Sequence, residues 1–115
     1  MRTIKDIATA LALFEEAANA HADATEKGDY KVANKNYRII NNVINFLDNS
    51  NERELLKKFL THTSESVKSW AATYLLTVYE SESIMVLEKI AGGTGIHSLD
   101  AATTLNEWRK GNLKV

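Results

Sequence analysis

Residues 66–79 read SVKSWAATYLLTVY, and after Lys68 no charge appears until Glu80. On helical spacing Val67, Ala71, Tyr74 and Val78 share one face, while Trp70 with Leu75 and Ala72 with Leu76 fill the faces beside it. A helix at a protein surface keeps a polar back. This one has none, so the stretch predicts an interior helix covered on several sides. Alanines at 71 and 72 would let a neighbouring helix approach closely.

The flanking sequence supplies that covering. Proline is absent, and the five glycines, at 28, 92, 93, 95 and 111, all fall where helices could end. No segment alternates polar and apolar residues cleanly enough for a strand. A first helix is predicted from about Thr3 to Lys27 on the spacing of Ile4, Ile7, Leu11, Phe14, Ala18 and Ala22, ending at Gly28. Asp29 caps a second that reaches about Leu47, with Ala33, Tyr37, Ile40, Ile44 and Leu47 in one stripe and Ile39, Val43 and Phe46 beside it. That helix, too, reads as buried over a wide arc. Ser50 or Asn51 would cap a short third helix holding Leu55, Leu56, Phe59 and Leu60, and Ser64 the fourth. Ser81 or Ser83 would open a fifth, and Ser98 a sixth with Leu99, Ala102, Leu105 and Trp108 inward. The expected architecture is all-α, one domain of 115 residues built from about six helices joined by short links.

Composition narrows the class. Hydrophobic residues make 44% of the chain and charged residues 25%, ordinary globular usage, and the formal charge of −1 creates no global field toward nucleic acid or membrane. Without cysteine there is no disulfide framework, thiolate nucleophile or cysteine-held metal. The start, MRTIKDIATALALF, has a short apolar run broken by Lys5 and Asp6 and closed by Glu15 and Glu16. It reads as an amphipathic helix and not a signal peptide, so a cytoplasmic protein is expected, with no membrane partner.

Chemistry-bearing patterns are sparse. His21, His62 and His97 show no metal-ligand spacing, and the serines sit where helix caps are needed. The GGTG stretch at 92–95 lacks the preceding strand and following Lys-Ser or Lys-Thr of a phosphate loop. Glu15 and Glu16 diverge by about 100° on a helix and form no acid/base pair. No catalytic residue, metal site or cofactor is expected, and the chain is not expected to be an enzyme.

Two stretches carry a family resemblance. LLKKFLTHTSESVKSWAATYLL, residues 55–76, resembles one unit of the HEAT-like repeats through Leu55, Leu56, Leu60, Ser64, Val67, Lys68, Ala71, Ala72, Leu75 and Leu76. Lys68 stands where many such repeats have arginine. The ending, with Ala101, Ala102, Leu105, Trp108 and Gly111, and the first hairpin, EKGDYKVANKNYRII, are similar to a family of small bacterial helical proteins first catalogued as a domain of unknown function. The resemblance implies a HEAT-like α-α superhelix. It also implies an immunity protein that binds and neutralises a cognate toxin domain, as in contact-dependent growth inhibition and other polymorphic toxin systems.

Charge is arranged in blocks. Residues 1–30 hold six acids and three bases, residues 31–60 three acids and six bases, and residues 61–100 five acids and two bases. Acidic surfaces meet basic partners quickly and selectively, and a nuclease toxin would carry a basic cleft for phosphate. The expected toxin-binding residues are therefore Glu65, Tyr79, Glu80, Glu82 and Glu88, with Glu15, Glu16 and Asp23 as an alternative acidic surface. The competing reading is a nucleic-acid-binding or adaptor module without a toxin partner, because Lys31, Lys35 and Arg38 align on the second helix. The acidic balance makes nucleic acid the less expected partner, and oligomeric state is not legible.

Overall fold

The computed structural model describes residues 4–115, and among them every regular element is helical. The elements are α1 (Ile7–Glu26), α2 (Tyr30–Asn49), a 3-10 helix (Arg53–Thr61), α3 (Glu65–Leu75), α4 (Glu80–Ala91) and α5 (Ser98–Arg109). The predicted start of the first helix at Thr3 lies outside the described residues. The chain forms two compact units, one ending at Arg53 and the other covering Glu54–Val115.

In the first unit α1 packs along α2. Asp6 opens α1 by accepting a hydrogen bond from the Thr9 amide at 2.7 Å. That backbone bond holds the Asp6 carboxyl below its ordinary pKa. The cap's contribution is therefore complete above the usual carboxylate range and is lost only as pH falls through the lowered folded value. Asp29 caps α2 the same way, through the Val32 amide at 3.2 Å. The buried residues of α1 are mostly alanine (Ala10, Ala17, Ala18 and Ala24, with Leu13 and Phe14), a smooth face suited to close helix approach. Those of α2 are Ala33, Asn36, Ile40, Val43, Ile44 and Leu47. Asn36 tolerates burial because its amide donates to the Val32 carbonyl at 3.0 Å.

Three helices end alike. After α1, Gly28 takes φ +72°, its N–H donates to the Thr25 carbonyl, and the Asp29 N–H donates to Ala24. Gly111 repeats this after α5 at φ +76°, with Asn112 donating to Glu107. After α2 the left-handed position is taken by Asn51, at φ 54°, and Glu52 donates to Leu47. This double bond pattern satisfies the last carbonyls of a helix and needs a left-handed residue, which glycine or asparagine provides. Asn51 thus closes α2 and does not open the next helix. The chain continues as a 3-10 helix with Leu56, Phe59 and Leu60 buried.

In the second unit α3 packs on α4 and α4 on α5. Ser64 caps α3 as expected, accepting from the Val67 amide at 3.4 Å. Every residue from Glu65 to Leu76 is buried or half-buried, so the interior helix read from the sequence is present. Its polar side chains are satisfied locally: Ser66 pairs with the Ser64 hydroxyl at 3.0 Å, and Thr73 donates to the Ser69 carbonyl at 2.8 Å. The helix stops at Leu75, earlier than its apolar pattern, and the chain turns through Thr77 and Val78, both exposed. Branching at Cβ weakens the helical preference of those two residues. Neither Ser81 nor Ser83 caps α4; Tyr79 holds that position without a side-chain bond, and Ser83 points into the core. On α5 the inward residues are Ala101 and Leu105, whereas Leu99 is 75% exposed and Ala102 is exposed, a rotation from the predicted face.

Candidate interaction surfaces

Among the described residues no three histidine, cysteine, aspartate or glutamate side chains gather as metal ligands. His62 has a local structural role: its Nδ1 accepts the Ser64 N–H at 2.9 Å, and its ring tilts against Phe59 at 6.1 Å. His97 precedes α5 without a side-chain cap bond. No helix is long and apolar enough to cross a membrane among the described residues.

The predicted acidic surface on α4 has a specific geometry. At 100° per residue, Glu80 and Glu82 point to opposite edges of the exposed side, and Ser81 and Met85 lie between them. Each acid is held by its own unit. Glu80 accepts the Trp108 indole N–H at 2.8 Å, and Glu88 pairs with Arg109 at 2.9 Å. Glu82 pairs with Lys57 at 3.5 Å, while the Lys57 ammonium sits 4.4 Å from the centre of the Tyr79 ring. These are exposed interactions, each worth about 0–1 kcal/mol. They nevertheless engage all three carboxylates, two of them with cations, and leave Met85, 69% exposed, at the middle of the face.

Glu65 stands apart from those acids, in the first turn of α3. It lines an open groove of about 520 Å³ with Leu60, His62, Lys68, Met85 and Lys89. Its Oε1 lies 2.9 Å from where a Cβ on Gly95 would stand, so only glycine fits there without moving the carboxylate. The five predicted contact residues thus belong to one unit but split between the edges of α4 and this groove.

The first unit separates charge by helix. α1 carries Glu15, Glu16, Asp23 and Glu26 and no lysine or arginine. Glu16, Asp23 and Glu26 are exposed along one side, and Glu15 is half-buried at its edge. Lys27, just past the helix, pairs with Asp23 at 3.0 Å. α2 is the reverse. Lys31, Lys35 and Arg38 are exposed, and Asp48, its one acid, is engaged at its far end by Arg53 at 2.7 Å. The α1 row is legible from seven-residue spacing. The partners of Glu80 and Glu88 lie 28 and 21 residues away, beyond any local pattern.

Comparison with known proteins defines a fold class and no more. No protein-family model matches the chain, and no curated protein matches it. The crystal structure of protein RPA1889 from Rhodopseudomonas palustris CGA009 matches with a TM-score of 0.85 at 20% sequence identity, covering 93% of this chain and 91% of that one. The chain shares its all-helical fold with that bacterial protein.

Proposed function

We propose that the chain is an immunity protein, which binds a cognate secreted toxin domain and occludes the basic cleft with which a nuclease of that kind holds phosphate. The resemblance of its repeat-like and C-terminal segments to small bacterial immunity families suggests the class. The observation that carries the mechanism is the charge of α1: four acids over Ile7–Glu26 with no lysine or arginine among them. A rigid helix with carboxylates one to two turns apart can stand in for a run of phosphates, and long-range attraction would speed its docking. Of the two acidic surfaces, α1 supports the reading better because no lysine or arginine lies within it, although Lys27 just past its end pairs with Asp23, whereas α4 contains Lys89 and its Glu82 and Glu88 pair with Lys57 and Arg109. On α4 the exposed Met85 offers an apolar contact instead.

The decisive experiment co-expresses the chain with the C-terminal domain of the protein encoded immediately upstream, after that domain alone has been shown to arrest growth. Protection of the host, with a complex that weakens as salt rises, is the expected outcome. E16K/D23K/E26K should abolish protection, while E80Q/E82Q/E88Q should reduce binding less. Full protection by the first variant would remove α1 from the interface. Growth arrest despite the intact protein would end the immunity reading.

A further inference from the structure

The outer side of α2 carries two parallel columns. Counting 100° per residue, Lys31, Lys35 and Arg38 fall within about 60° of one another, opposite the buried row Ala33, Ile40, Ile44 and Leu47. Tyr30 and Tyr37, two turns apart, lie together about 100° round to one side of the cations. Tyr30 is 80% exposed, and Tyr37, which also interacts with another residue, is 47% exposed. No acid occurs from Tyr30 to Leu47, and no hydrogen bond or ion pair with another described residue engages Lys31, Lys35 or Arg38. The contrast with α4, where each carboxylate of the exposed side is already paired, is direct.

We infer that this face binds single-stranded nucleic acid. Such a strand is charged along one edge and aromatic along the other, and the helix offers a matching pair of columns. The cations run about 10 Å along the axis, from Lys31 to Arg38, enough to meet successive phosphates. The tyrosines are spaced by the same distance and give two platforms for unpaired bases, the combination by which proteins hold single strands without reading sequence. A duplex would satisfy the cations but hides its base faces in the stack. An acidic protein would satisfy them too, but gives no role to the tyrosine column.

The face differs from the proposed toxin-binding surfaces in both helix and charge, so loss of one activity leaves the other measurable. The test is fluorescence anisotropy of a labelled oligothymidylate of about 15 nucleotides, begun at about 20 mM salt. Three phosphate contacts predict a log–log salt slope of about −2, so that a tenfold rise in salt weakens binding about 100-fold. K31Q/K35Q/R38Q should flatten that slope and weaken binding at low salt. Tyr30→Ala should weaken binding by about fivefold or more with the slope unchanged, because it removes stacking and no charge. All these residues are exposed, and circular dichroism melts serve as the check that each variant is folded; K35E/R38E provides a second charge variant. Failure to bind the oligonucleotide at low salt, or unchanged binding by the folded triple variant, would overturn the inference. So would equal affinity for polyglutamate, which would assign the face to an acidic protein, or tighter binding of a duplex of the same length.

Discussion

α2 and α3 look alike in sequence and behave differently in the fold. Both carry apolar residues over a broad arc, and both read as helices packed on several sides. In the structure α3 has no exposed residue at all, whereas half of α2 faces solvent and Tyr37, placed in its apolar stripe, is 47% exposed. The difference lies in what fills the remaining positions. On α2 they are lysine, arginine and asparagine, whose burial without partners would cost several kcal/mol each, so that side must stay wet. On α3 the half-buried positions are Glu65, Lys68, Ser69, Trp70 and Thr73: the Thr73 hydroxyl bonds to the helix itself, and the two charged side chains, at its first turns, line an open groove. Breadth of the apolar arc is therefore a weaker guide to encasement than the chemistry of the side opposite.

The largest effect should separate the two helices outright. Leu75 is fully buried at the end of α3, and Leu75→Ala should cost about 2–5 kcal/mol through lost burial and a residual cavity. Asn45→Ala, on the wet side of α2, should stay within about 0.5 kcal/mol. Urea unfolding midpoints at constant slope check both, and equal costs would break the contrast.

A smaller loss tests how the α1–α2 hairpin is closed. Gly28 has nothing within 4 Å of an added Cβ, so Gly28→Ala should cost about 1–2 kcal/mol from its left-handed backbone alone. A thermal melt indistinguishable from the parent would show that the turn relaxes.

The smallest change sharpens the account of the second unit. Ser83 is fully buried in α4, and its hydroxyl has no hydrogen-bond partner among the described residues. Removing a buried hydroxyl without a partner recovers its desolvation cost, so Ser83→Ala should stabilise by about 1 kcal/mol. A destabilised variant would mean that the hydroxyl has a partner, such as a buried water.

Helix capping shows how far local reading reaches. Asp29, Ser64, Gly28 and Gly111 act where their types and positions suggested, because a cap is a bond between residues only a few positions apart. Asn51 and Ser83 misled for the same reason in reverse. Each can serve a helix end, but the packing of the chain put one at the close of α2 and the other in the core. The candidate surfaces divide likewise. The acidic row of α1 and the basic row of α2 follow from helical spacing. The engagement of Glu80 and Glu88 on α4 does not, since Trp108 and Arg109 reach them only because α5 packs on α4.

By itself the sequence determined an all-α chain, the near-positions of its helices, the interior character of most of residues 66–79, though not of Thr77 and Val78, and the charge carried by each helix. These depend on periodicity, glycine placement and side-chain type, all expressed within a few turns. Tertiary structure alone decided where α3 stops, which side of α5 faces inward and which charges remain available to a partner. Those outcomes are set by contacts between residues distant in the chain, where burial and pairing compete and no local pattern records the result.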